Sequence, residues 1–79
     1  NRVEYTRLNI DVLQKLAESS NITVITPEVL RENGLLGKND LLKVLGRGVL
    51  KAKLNVSANA FSEKAVAAIE SVGGTVIKL

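Results

Sequence analysis

From Leu50 to Ala58 apolar and polar residues alternate without a break. Leu50, Ala52, Leu54, Val56 and Ala58 fall on one side, and Lys51, Lys53, Asn55 and Ser57 on the other. That period of two predicts a half-buried strand with its apolar side inward. The period then changes. Phe61, Ala65, Ala68, Ile69 and Val72 recur at helical spacing and predict a helix with one buried stripe. Ser62 stands at the N-cap, where its hydroxyl can accept a bond from an orphan backbone N–H. Phe61 before the cap and Val66 after it are spaced as a hydrophobic staple. Gly73-Gly74 end the helix, since one residue there has to adopt a left-handed conformation.

The same devices recur upstream. Val3 to Leu8 predicts a short strand with Val3 and Tyr5 on one face. Asn9 caps a helix, Asp11 lies near its positive end, and Leu8 and Leu13 form a second staple. Leu13, Leu16 and Ala17 give the buried stripe, and Ser19-Ser20-Asn21 end the helix. Ile22 to Ile25 is β-branched and extended. Thr26 caps a short helix with Pro27 in its first position, Ile25 and Leu30 as staple, and Asn33-Gly34 as its stop. Leu35 and Leu36 fold back on it. Gly37 to Asp40 is a turn, and Leu41 to Leu45 a strand with Lys43 in its middle. Gly46-Arg47-Gly48 reads as a tight turn between strands with Arg47 at its tip, and Thr75 to Leu79 as the last strand. Tyr5 and Phe61 both fit core positions. Capped helices around Asn9, Thr26 and Ser62 share no full-length repeat, so the recurrence is one of capping and not of a solenoid unit. Strands alternating with about three helices predict one small α/β domain with some parallel pairing.

Composition narrows the chemistry. The chain of 79 residues has no Cys and no His. It therefore lacks disulfides, thiolate metal sites and the commonest metal ligand and general base. Glu28 with Glu32, Asp11 with Glu18, and Glu63 and Glu70 beside Lys64 read as solvated helix faces. Ser57 and Ser62 have no imidazole to activate them. Gly46-Arg47-Gly48 lacks the longer glycine pattern and the Lys-Ser/Thr ending of a nucleotide-binding loop. No catalysis, cofactor, metal or small-molecule substrate is expected. No apolar run approaches the about eighteen residues of a membrane span, and no signal peptide is visible. The absence of Met even at position 1 suggests a fragment or a processed product.

The formal charge of +3 is unevenly placed. Asn1 to Leu42 carries five basic and six acidic residues, whereas Lys43 to Lys64 carries five basic residues and Glu63 alone. A basic patch of that kind is what phosphate attraction requires, although lysines that deter edge pairing would look the same.

The basic stretch carries a family resemblance. Lys43-Val44-Leu45-Gly46 with Gly48, then Leu54 and Val56, then Phe61-Ser62 with Ala65, Ile69 and Gly73-Gly74 resemble the signature of the large ribosomal subunit protein 15 family, bacterial type. The looser strand, helix and Thr-Pro-Glu turn before it are also similar. The family often has His where this chain has Asn59, but an amide can still hydrogen-bond RNA. The resemblance implies a compact, irregular superhelix of strand–strand–helix turns. It also implies that residues 1–79 match the C-terminal globular domain, without the family's Gly- and Arg/Lys-rich N-terminal arm.

On that resemblance the expected role is a non-catalytic constituent of the large ribosomal subunit. The implied partners are large-subunit (23S-type) rRNA and neighbouring ribosomal proteins. The implied location is cytoplasmic, within the ribosome, with an organellar ribosome left open. The expected RNA-binding residues are Lys43, Arg47, Lys51, Lys53, Asn59 and Lys64, forming one positive surface whose only nearby carboxylate is Glu63. Arg2, Arg7 and Lys15 fall outside it. The alternative is a protein–protein module without RNA contact, which responds less to salt.

Overall fold

The computed structural model describes residues 5–79. Val3 and Arg2 lie outside the described residues. In chain order the elements are β1 (Tyr5–Asn9), α1 (Ile10–Ser20), β2 (Val24–Ile25), α2 (Pro27–Glu32), β3 (Leu41–Leu45), β4 (Asn55–Ala58), β5 (Ala60–Phe61), α3 (Glu63–Ser71) and β6 (Thr75–Lys78). The odd strands form one sheet in the order β1-β3-β5, and the even strands a second in the order β2-β4-β6. All four pairings are parallel. Each turn of the chain thus leaves one strand in each sheet. The α/β class, the three helices and the coiled path agree with expectation.

Three connections run from the first sheet to the second: α1, the irregular segment 46–54, and α3. The middle one lies between the other two. A Cβ on Gly46 would collide with Lys64 Cβ and stand 2.6 Å from the Ala65 nitrogen of α3. The backbone N–H groups of Lys51 and Ala52 donate to Gln14 Oε1 of α1 at 2.9 and 2.8 Å. That bond corrects the predicted strand over Leu50–Ala58. Residues 50–54 satisfy part of their backbone on a helix side chain, and the ladder begins only at Asn55. The burial alternation survives without the ladder, with Leu50 and Leu54 buried and Lys51 and Lys53 exposed. Ser57 departs from it and is buried at 8% exposure, opposite Ile77 in the central strand of its sheet. Gly46-Arg47-Gly48 is likewise no tight turn between strands. It opens this long crossing.

The return paths differ in length. The first uses α2 and the turn before β3, and the second is the single residue Asn59. The helix ends follow the local rules. Thr26 Oγ1 accepts from Val29 N–H at 3.2 Å, and Ser62 Oγ accepts from Ala65 N–H at 3.1 Å. Asn9 has the extended N-cap backbone but makes no side-chain cap bond among the described residues. At the end of α3, Gly73 N–H donates to Glu70 O and Gly74 N–H to Ile69 O, the paired bonds of a Schellman stop. Gly73 supplies the left-handed residue at φ +82°, while Gly74 packs so tightly that a Cβ would strike the Leu54 carbonyl. The short helix α2 closes with the same pair of bonds, from Gly34 N–H to Arg31 O and from Leu35 N–H to Leu30 O.

The core lies between the sheets and under the helices. Leu13, Ile25, Leu30, Leu42, Leu54, Val56 and Ile69 are fully buried. Phe61 packs against this core from a half-buried position. Tyr5 does not: it is 42% exposed, because the alternation of β1 turns Leu8 inward and Tyr5 and Arg7 outward.

Candidate nucleic-acid interface

β1 and β3 pair in register, with Tyr5 opposite Leu41, Arg7 opposite Lys43 and Asn9 opposite Leu45. Side chains at paired positions of a parallel ladder share a face. The outer face of this sheet therefore carries Arg7 and Lys43 side by side. At its C-terminal end, Asn9 and Leu45 join Gly46, Arg47 and Lys64 to line an open groove of about 440 Å³.

Local structure fixes the groove walls. Ser62 Oγ accepts both Ala65 N–H, as a helix cap, and Gly46 N–H, each at 3.1 Å. One hydroxyl thus starts α3 and clamps the crossing that carries Arg47. Arg47 and Lys64 are both exposed. The first turn of α3 adds the partial positive charge of its N-terminus, partly offset by Glu63. Phosphate oxygens suit such a setting: a guanidinium fork and an ammonium beside a helix N-terminus.

The six expected residues are distributed unequally. Lys43 lies on the outer sheet face that leads into the groove, and Arg47 and Lys64 line it. Lys51 and Lys53 are exposed farther along the crossing, toward the end of α3, where the Lys53 stem passes 3.8 Å from where a Gly73 Cβ would stand. Asn59 is used internally. Its N–H donates to Leu42 O at 3.0 Å, and its Oδ1 accepts Leu42 N–H at 2.9 Å. That side chain completes the ladder where the chain changes sheets.

Two features escaped the sequence reading. Arg7 joins the positive face through its register with Lys43, across thirty-six positions of chain. Glu63 is also not the only carboxylate near the groove. A Cβ on Gly48 would stand 2.6 Å from Asp11 Cβ, and Asp11 Oδ1 is buried without a hydrogen-bond partner among the described residues. Asp11 is thus not on a solvated face but half-buried beneath the loop, at the N-terminal turn of α1, where a negative charge is favoured. Nothing in the residue types marks either arrangement. Both depend on which strands pair.

Residues 7–77 match the model of a family described as ribosomal proteins 50S-L15 and 50S-L18e together with a 60S counterpart. Curated relatives are similar along nearly the whole chain. A protein of Amoebophilus asiaticus named large ribosomal subunit protein uL15 is 55% identical over 94% of this chain and 49% of its own length. Proteins of the same name from Phocaeicola vulgatus and Porphyromonas gingivalis are 53% and 46% identical over all of this chain and 53% of theirs. The chain therefore spans about half the length of these relatives. By this match over nearly all of its residues, the chain belongs to the ribosomal protein family of 50S-L15, 50S-L18e and their 60S counterpart.

Proposed function

We propose that this chain is the globular part of a structural constituent of the large ribosomal subunit, and that it holds large-subunit rRNA through its groove and the crossing beside it. Family membership supports the ribosomal setting. The observation that carries the RNA contact is the convergence of Arg47 and Lys64 on one groove, with Lys43 leading into it and Lys51 and Lys53 extending it along the crossing. The role is scaffolding. Cations neutralise phosphates, the clamped loop fixes their spacing, and no step of bond making is involved. Arg47 adds geometric discrimination, because its planar fork fits phosphate oxygens or a guanine edge.

The test is a titration of the chain against fragments of large-subunit rRNA over a range of salt. Changing Arg47, Lys51 and Lys53 to Ala together should weaken binding and flatten the dependence of log K on log salt by about two to three units. Unchanged affinity and slope would remove the crossing from the interface.

A second reading is a docking module for a neighbouring ribosomal protein. Val24, Ile77 and Leu79 favour it, being 49%, 45% and 62% exposed in or beside the edge strands of the second sheet. An apolar contact there would persist at salt concentrations that dissolve phosphate contacts.

A further inference from the structure

We propose that the outer face of the β1-β3-β5 sheet takes an unpaired nucleotide of RNA, with Tyr5 stacking on the base and Arg7 and Lys43 holding the adjoining phosphates. The proposal rests on the RNA-binding reading above and extends it to a second surface with a different mode of contact.

Three observations converge on this face. Tyr5 is exposed in a strand whose alternate residues turn inward, so the fold presents an aromatic ring on the outer face. Arg7 and Lys43 stand directly opposite one another on paired strands. Like charges in that position destabilise a sheet, and an anion lying across both removes the penalty. No acidic residue shares the face among the described strand residues Tyr5, Arg7, Asn9, Leu41, Lys43 and Leu45. Asp40, just before β3, is engaged by the inward-alternating Thr6, whose Oγ1 donates to Asp40 Oδ2 at 2.9 Å.

The geometry also selects the state of the RNA. Tyr5 and Arg7 are two residues apart on one face, about 7 Å at strand spacing. Stacking needs the π-face of a base, which a duplex keeps covered. The deep, narrow major groove of an RNA duplex does not admit side-chain reading, whereas unpaired bases can be splayed out onto aromatic side chains. An open sheet face with a ring at one end and a phosphate groove at the other suits an unpaired strand. Asn9 and Leu45 make the two regions continuous, since they end the face and line the groove.

The sequence supplies its own probe. Tyr5 is the only tyrosine and there is no tryptophan, so tyrosine ring resonances report on this position alone. The chain is titrated with a single-stranded RNA octamer, the same octamer in duplex form, inorganic polyphosphate and polyglutamate. The single strand should move the Tyr5 ring protons upfield, while duplex and polyphosphate leave them in place. Tyr5→Ala should weaken single-strand binding about 5- to 10-fold and Tyr5→Phe should preserve it. Arg7→Ala with Lys43→Ala should reduce both affinity and salt slope. Tyr5 resonances that stay fixed while the single strand binds would overturn the proposal, as would equal shifts with polyglutamate, which would mark an acidic protein partner. Arg47→Ala with Lys64→Ala, which strips the groove of its two cations, separates the two readings. Loss of binding in that double variant with an unmoved Tyr5 keeps the groove and discards this face, and a shifted Tyr5 with unchanged binding in the double variant does the reverse.

Discussion

Replacing Ser62 with Ala tests the link between helix capping and the groove. In an ordinary cap the hydroxyl accepts one N–H, and its loss costs about 1 kcal/mol. Ser62 Oγ accepts two, from Ala65 and from Gly46. A hydroxyl oxygen has two lone pairs, so both bonds can coexist. Gly46 is half-buried against α3, and its N–H has little room to find water once the hydroxyl is gone. Leaving that donor unpaired adds about 1–2 kcal/mol, toward the lower part of the range for buried groups. The total is about 2–3 kcal/mol. Thr26 is the internal control, since its Oγ1 caps α2 through a single bond to Val29 N–H. Thr26→Ala should cost about 1 kcal/mol. Urea denaturation at constant m resolves the difference, and a domain of this size should lose about 4–8 °C in Tm per kcal/mol. Amide exchange at Gly46 should accelerate more in Ser62→Ala than global destabilisation explains. If Ser62→Ala costs no more than Thr26→Ala, the second bond contributes nothing and the clamp is not what holds the Arg47 loop.

Two further substitutions probe the crossing. Leu54 is fully buried, so Leu54→Ala should destabilise by about 3 kcal/mol in chemical denaturation, while Lys53→Ala, exposed next to it, should stay within about 0.5 kcal/mol. Gln14→Ala strips one acceptor from two N–H groups at once, and should lower stability by about 1–2 kcal/mol and raise amide exchange at Lys51 and Ala52 ahead of their neighbours; unchanged exchange there would show that the crossing does not depend on α1.

What the sequence made legible was local. Leu41–Leu45 is a strand over its full predicted range, because five residues of apolar pattern between turns determine it. Thr26 and Ser62 cap and Pro27 opens its helix where expected, and Gly73 and Gly74 stop α3, because each device involves partners within a few residues. The alternation from Leu50 to Leu54 was equally clear, yet it reports burial and not hydrogen bonding. It cannot say that the backbone partner is Gln14, thirty-seven positions away from Lys51. The same limit hid β5. Two residues are too few to carry a pattern, and their strand character comes from β3, which Asn59 and Ser62 also engage through Leu42 O and Val44 O.

The site was less legible than the fold for a related reason. Lysines and arginines can be counted from sequence, but a binding surface depends on which of them share a face. Pairing β1 with β3 moves Arg7 from the acidic half of the chain to a place beside Lys43. Crossing the sheets at Asn59 engages that residue's amide oxygen with the Leu42 N–H. Running the basic segment between two helices separates Lys53 from Arg47 by most of the length of α3, about 13 Å for nine helical residues. One linear run of positive charge thus becomes two unequal parts, a groove with a sheet face behind it and an outlying pair of lysines. Charge that is close in sequence has been spread out, and charge that is distant has been brought together. The parallel register, not the spacing of lysines along the chain, therefore decides which positive charges share a face.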